Sequence, residues 1–196
     1  MPGARFYRDG PPPAHTGGFG EPTCRACHAD NPLNDPAGSL AITGVPAVYA
    51  PGDTHRVTIF LRRAGMRRAG FQLSARFSDG RQAGTLRVVD SMATITGGAT
   101  EVRYVHHTRA GSRLSRADTA QWTLEWVAPR RAPDVVEFHV AANAANDDNS
   151  EFGDFIYTLA TCSAKPDSGP VIRINQLGYL PAGRKVAVVC AGEPPP

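Results

Sequence analysis

The chain has 196 residues, of which 41% are hydrophobic, and its 21 basic residues against 18 acidic ones give a formal charge of +3. This is enough for one globular domain of ordinary size, while 20 glycines and 17 prolines exclude a helical bundle and favour short strands joined by turns. No apolar run reaches the roughly 20 residues of a membrane-spanning helix, and the charges are spread along the sequence, so neither a transmembrane segment nor nucleic-acid binding is indicated.

Residues 1–38 are predicted to form an irregular arm. Glycines and prolines interrupt any periodicity at Gly10–Pro13 and again at Thr16–Gly20, and only Cys24–His28 favours a single helical turn. The segment Met1–Arg5 lacks the apolar core of a signal peptide. Because the cysteine motif discussed below argues for export, we expect the natural start to lie upstream, or a leader to have been removed.

Residues 39–162 are predicted to form the main β domain. The segment Arg56–Leu61 alternates apolar and polar residues, which is typical of a strand with one buried face. Trp122 and Trp126 lie four positions apart, so they share a strand face, and this favours the core. Short strands at regular spacing predict an all-β sandwich or barrel. The other predicted strands are Leu40–Ile42, Gly70–Phe77, Thr85–Val89, Glu101–His107, Gln121–Val127, Val135–Ala141 and Phe155–Leu159.

Residues 163–196 are predicted to form a linker followed by a two-stranded tail, with strands at Val171–Gln176 and Lys185–Cys190. Two strands cannot form a core of their own. The tail is therefore expected to dock on the main domain, to add a strand to a partner protein, or to belong to a further domain. Cys162 and Cys190 flank the linker, and we predict a disulfide between them in an oxidising compartment, with free thiols as the alternative.

The motif Cys24-Arg25-Ala26-Cys27-His28 is the attachment pattern of c-type haem. Two thiols three positions apart lie on one side of a helical turn and reach the same porphyrin, and the histidine that follows can ligate the iron. We therefore predict covalent haem c on Cys24 and Cys27, with His28 as an iron ligand. A zinc site would need a second ligand pair, and no βαβ pattern supports a thioredoxin-type redox pair.

A sixth iron ligand is harder to assign from the sequence. We name His15 as the candidate, because it lies on the same arm and can fold back over the haem, and five-coordinate iron is the alternative. His55 and His139 fall in register with strands and are interpreted as ordinary sheet residues. The further candidates are His106, His107, Met66 and Met92.

Two other groups of polar residues have alternative interpretations. A loop crowded with Asn and Asp, from Asn143 to Asp154, has the oxygen donors of a Ca²⁺ site but not the spacing of an EF-hand. We favour turns closed by their own side chains. The pairs Arg62-Arg63, Arg67-Arg68 and Arg130-Arg131 are interpreted as solvated loop charge, with contact to an acidic partner protein as the alternative.

Several stretches of the sequence match one known family, and they are Thr16–His28, Ala69–Leu73, His107-Thr108, Trp126–Pro129, Asn143–Asn146 and Gly153-Asp154. Together they resemble the choice-of-anchor V family, secreted bacterial proteins related to the animal reeler domain. The resemblance covers about residues 10–160 and implies an immunoglobulin-like β-sandwich, export, and a motif often described as a haem site. The tail, at Arg173–Pro181 and Lys185–Val189, resembles the opening of the immunoglobulin-like domain that precedes family 9 cellulase catalytic domains, and it carries no catalytic carboxylate pair.

The function predicted from these features is an exported monohaem electron-transfer protein or an accessory subunit of a larger complex. We expect it in the periplasm or outside the cell, with protein partners that include a membrane-bound electron-transfer complex. The alternative is a haem-free structural or binding subunit that docks onto partner proteins. An enzyme is not expected, because no nucleophile–base motif, phosphate loop or paired carboxylates are found.

Overall fold

The computed structural model describes residues 7–97, 102–131, 133–166, 171–174 and 187–190, the last two segments by their backbone alone. Its one helical element is a 3₁₀ turn at Cys24–Ala26, and no helix within these ranges is long and apolar enough to cross a membrane. The strands are β1 (Gly38–Thr43), β2 (Thr54–Arg63), β3 (Arg68–Phe77), β4 (Thr85–Val88), β5 (Ala93–Gly97), β6 (Arg103–His107), β7 (Thr119–Val127), β8 (Val136–Ala145), β9 (Phe155–Ser163), β10 (Val171–Ile174) and β11 (Ala187–Cys190).

The nine strands β1 to β9 form two antiparallel sheets packed face to face. One sheet has the order β1-β2-β7-β4 and the other the order β5-β6-β3-β8-β9. This arrangement confirms the predicted all-β, immunoglobulin-like sandwich. The chain crosses between the sheets several times, so the sandwich depends on pairings between distant segments, such as β2 with β7 and β3 with β8.

The core lies between the sheets and contains both tryptophans, as predicted. Trp122 is 2% exposed and Trp126 is fully buried. Each indole N–H donates to a backbone carbonyl, that of Trp122 to Gly111 at 2.7 Å and that of Trp126 to Ala83 at 2.9 Å. Both tryptophans therefore bury a large apolar surface without leaving a polar group unpaired.

Strand β5 was not predicted from the sequence. It has five residues, and Ile95 is its only large apolar side chain, so the segment gives little periodic signal on its own. It forms because β6 offers a free edge, to which β5 pairs from Ala93↔His107 to Gly97↔Arg103. The predicted start of the following strand, Glu101, lies outside the described residues.

The tail strands pair with each other rather than joining either sheet. β10 and β11 are antiparallel, from Val171↔Cys190 to Ile174↔Ala187, and β11 lies beside β9. Cys162 at the end of β9 is disulfide-bonded. The side chain of Cys190 lies outside the described residues, so its pairing with Cys162 stays a prediction.

Candidate functional site

The arm, from Tyr7 to Ala37, covers the outer face of the five-stranded sheet. Strand β3 is buried on both faces: its apolar residues face the core, while Gln72 and Ser74 on the other face are fully buried. Gln72 fixes the arm through its side-chain amide, which accepts from the backbone N–H of His15 at 2.7 Å and donates to the carbonyl of Pro12 at 2.9 Å. The arm is thus a third layer of the fold.

A buried ion pair holds the middle of the arm. Glu21 of the arm contacts Arg76 of β3, with side chains 9% and 7% exposed. The same carboxylate accepts hydrogen bonds from Thr16 and Tyr104, both at 2.6 Å. Desolvation raises the pKa of Glu21, but the bonds from Thr16, Tyr104 and Arg76 outweigh it and hold that pKa below its ordinary value. Glu21 is therefore ionised at neutral pH.

Two histidines of β6 lie under the start of the arm. A β-carbon on Gly10, whose φ is +115°, would overlap the ring of His106, so only glycine allows this close approach. His107 has its Nδ1 3.1 Å from the N–H of Phe71 and its Nε2 3.2 Å from the carbonyl of Tyr7. Burial lowers the pKa of His107, so its imidazole is neutral at neutral pH.

The cysteine–histidine motif forms the single helical turn that the sequence predicts. The hydroxyl of Thr23 caps it by accepting from the N–H of Arg25 at 3.1 Å. The backbone N–H groups of Cys27 and His28 both donate to the carbonyl of Cys24, at 3.2 and 3.1 Å. The turn lies against β8 and directs His28 towards the sheet.

His28 is held by two polar side chains of the sandwich. Its Nδ1 lies 2.9 Å from Oδ2 of Asp154, an ion-pair distance without the angle of a hydrogen bond, and Asn143 donates to its Nε2 at 3.5 Å. Asp154 is 2% exposed and accepts from the Asn143 side chain at 3.0 Å and from the N–H of Asn146 at 3.1 Å. Both ring nitrogens of His28 thus already face protein groups.

The two thiols of the motif are free and differ in exposure. Cys27 is exposed, and Cys24 is partly covered. Desolvation raises the pKa of Cys24 to about 12, so this thiol is protonated at neutral pH. A reactive cysteine needs the opposite shift, towards the thiolate.

A pocket of about 150 Å³ lies between the arm and the sheet, and we call it the arm pocket. Apolar surface dominates its walls. The arm supplies Pro11, Pro12 and both thiols of the motif, and the sheet supplies residues from β3 and β8. The sequence singled out the motif on the arm side as a haem site, but it gave no signal for the sheet side of this pocket, which includes Gly70, Phe71 and Ala145.

The interpretation of the chain as an iron-binding electron-transfer protein requires a correction. Among the residues that the structure describes, no three or more His, Cys, Asp or Glu side chains are grouped so that they could hold a metal ion. His28 is instead engaged by Asp154 and Asn143. These findings contradict the interpretation of the chain as a c-type haem, iron-binding, electron-transfer protein. The motif is a wall of the arm pocket.

The other residues considered as iron ligands divide between the arm pocket and the rest of the sandwich. His15 and His107 line the arm pocket, and Nδ1 of His15 lies 3.0 Å from the carbonyl of Pro13. His55 stacks on Trp126, and His139 packs against Phe19 of the arm. Met66 is buried in the core and Met92 packs against it. The interpretation of His55 and His139 as sheet residues is confirmed.

The Asn- and Asp-rich loop uses its side chains to close its own turns, as we favoured. Asn146 accepts from the N–H of Asp148 at 3.1 Å, and Asp148 accepts from the N–H and the hydroxyl of Ser150, both at 2.8 Å. These bonds lower the pKa of Asp148. The loop thereby becomes a fixed rim of the arm pocket, to which Asp147 and Asn149 contribute.

Comparisons with known proteins give loose likenesses. A family model described as the cellulase N-terminal Ig-like domain matches residues 167–196, in line with the resemblance of the tail. The Reelin-N domain of F-spondin is 21% identical, with a TM-score of 0.48 over 73% of this chain and 97% of that domain. The human F-spondin reeler domain is 21% identical, with a TM-score of 0.44 over 69% and 96%.

A cohesin module from a Clostridium perfringens family 33 glycoside hydrolase is 10% identical, with a TM-score of 0.43 over 66% of this chain and 96% of the module. No curated protein sequence matches the chain. These likenesses are too loose to indicate a function. The function is therefore inferred from the residues of this chain.

Proposed function

We propose that this chain is a non-catalytic binding module, displayed outside the cytoplasm, whose arm pocket receives an apolar side chain of a partner protein. The proposal departs from the haem-centred prediction and follows its alternative, a haem-free subunit that docks onto partners. Membership of the choice-of-anchor V family is part of this proposal, and the arm motif and the sandwich segments that resemble that family support it.

The observation that carries the proposal is the size and lining of the arm pocket. A dry apolar cavity of about 150 Å³ accommodates a ring the size of benzene, and the arm pocket has this volume. Protein interfaces concentrate their binding energy where an aromatic or aliphatic side chain fills such a pocket. Pro11, Pro12 and Ala145 supply apolar walls, while His15 and His28 offer polar edges.

The pocket is held in shape before any partner binds. The ion pair between Glu21 and Arg76 fixes the arm in the middle, and Gln72 fixes the segment that precedes the motif. Preorganised walls lower the entropy that binding must overcome. This rigidity supports a binding role for the arm.

The chemistry of the motif supports a role without catalysis. Cys24 is a protonated thiol because burial raises its pKa. Both ring nitrogens of His28 face Asp154 and Asn143 of the sandwich. We therefore assign these residues to shaping the pocket.

The disulfide at Cys162 supports a location outside the cytoplasm. Disulfides persist in oxidising compartments and are rare in the reducing cytosol. Native protein run on gels with and without reductant should show a mobility shift. Identical mobility, with all four thiols open to alkylation, would contradict this location.

The pocket is tested with side-chain mimics, indole and p-cresol, titrated into the ¹⁵N-labelled full chain. We expect saturable NMR shifts centred on Cys27, Phe71 and Asn143. Filling the pocket with Ala145→Phe should abolish them, while Ala50→Phe, a matched change at an exposed loop residue away from the pocket, should leave them intact. Absence of saturable shifts, or shifts that persist in Ala145→Phe, would refute the proposal.

A further inference from the structure

One end of the sandwich gathers arginines that are far apart in the sequence. The β2–β3 turn lies beside the long β6–β7 loop, because the N–H of Arg63 donates to the carbonyl of Asp118 at 3.2 Å and the N–H of Gly65 donates to its carboxylate at 2.8 Å. A third bond joins the N–H of Ala69 to the carbonyl of Ser112 at 3.0 Å. We call this surface the arginine end.

The exposed arginines of this end are not neutralised locally. Arg63 pairs with Asp35 and Arg68 pairs with Asp147, so these two are structural. The others are exposed, and among the described residues none makes an ion pair or a side-chain hydrogen bond. They are Arg62, Arg67, Arg109, Arg113 and Arg116.

The local charge is strongly positive for a surface of this size. Among the described residues, the exposed acidic ones here are Asp118 of the β6–β7 loop and Asp90 of the neighbouring β4–β5 loop. Five positive charges against two negative ones leave +3 here, which equals the formal charge of the whole chain. Like charges held together without partners repel one another, and an anionic partner would relieve this repulsion.

The arginine end also has a groove that a chain segment can enter. Its volume is about 430 Å³, and it is lined by Arg62 and Arg116 together with Asp118 and residues at the start of β1. The groove is separate from the arm pocket, whose lining contains neither Arg62 nor Arg116.

We infer that the arginine end docks a carboxylate-rich segment of a partner protein. Guanidinium groups are planar forks that match a carboxylate in two parallel hydrogen bonds. The carboxylate of Asp118 at the edge of the groove repels a uniformly charged polyanion. It is compatible with a peptide whose acidic side chains are separated by neutral residues. The arrangement also speeds association, because the field of the arginines attracts an acidic partner before contact.

The test uses the full chain and a fluorescein-labelled peptide in which Glu and Gly alternate, with the Gln–Gly peptide as its neutral counterpart. We expect anisotropy to report binding of the Glu peptide alone, weakening as NaCl rises from about 50 to about 300 mM because salt screens exposed charges. Replacing both groove arginines, Arg62→Gln with Arg116→Gln, should weaken binding about tenfold through loss of two charge-assisted contacts.

A matched control removes the same charge from the opposite end of the sandwich. Arg130 and Arg131 are also exposed and follow β7 at the end where β2 begins, so Arg130→Gln with Arg131→Gln should leave the affinity within about twofold. Equal weakening by both pairs would show a net-charge effect and overturn the proposal. So would equal binding of the Gln peptide, or tighter binding of duplex DNA or dextran sulfate at matched charge.

Discussion

The buried ion pair between the arm and β3 gives the sharpest prediction. Glu21→Gln keeps the size of the side chain but removes its charge, leaving the guanidinium of Arg76, 7% exposed, without a counter-charge. Removing one partner of a buried pair costs about 3–5 kcal/mol. For a domain of this size each kcal/mol lowers Tm by about 2–4 °C, so we expect a drop of about 10 °C.

The same substitution should change the pH dependence of stability. The pKa of Glu21 is lower in the folded chain than its ordinary value of 4.5. Its contribution to stability is therefore complete above that ordinary value and is lost as the pH falls through the folded pKa. The wild-type Tm should fall below pH 4.5, and Glu21→Gln should remove this part of the fall.

Calorimetry of three variants separates the buried pair from charge effects in general. Asp79→Asn removes one partner of the exposed pair with Arg81, whose side chains are 49% and 71% exposed, and should leave Tm nearly unchanged because solvent screens an exposed pair. Adding Arg76→Met to Glu21→Gln removes the uncompensated charge, so the double variant should be more stable than Glu21→Gln alone. If Glu21→Gln and Asp79→Asn melted alike, the arm would not be held by this pair.

Other predictions concern the disulfide, a buried histidine, the core and the tail. Cys162→Ser and Cys190→Ser should each lower Tm to the same degree, since a loop of nearly 30 residues contributes about 3 kcal/mol; unequal values would contradict the pairing. His107→Gln should reduce the fall in Tm below pH 6.5. Burial lowers the pKa of His107 in the folded chain, so below pH 6.5 the unfolded chain binds a proton that the folded chain does not. Trp126→Ala should cost about 3–5 kcal/mol in chemical denaturation, and a smaller loss would place this ring outside the core. Truncation after Ala164 should lower Tm by several degrees if the tail strands belong to the fold; an unchanged Tm with lost partner binding would make them a docking element.

The cysteine–histidine motif shows what a short pattern leaves open. The spacing of Cys24, Cys27 and His28 correctly predicted one helical turn, because that depends on neighbouring residues. Whether His28 is available to a ligand depends on Asp154 and Asn143, which lie more than a hundred positions away in the sequence. No local pattern signals that contact.

Strand alternation by itself determined the class of fold. The period of two in β2 and β3 and the shared face of Trp122 and Trp126 are local properties, and burying one face of each strand forces two sheets together. Alternation does not describe the outer face of β3. The polar residues Gln72, Ser74 and Arg76 on that face would be expected to face solvent, but they are buried.

Only the tertiary structure decided what covers that face and where the charges gather. The arm has no periodicity, so nothing local predicts that it becomes a third layer over β3, and the pocket beneath it exists only through that contact. The arginines of the β2–β3 turn and the β6–β7 loop look evenly spread in the sequence, yet β2 pairs with β7 and brings these loops to one end. Both features arise from contacts between distant segments, which residue order alone does not specify.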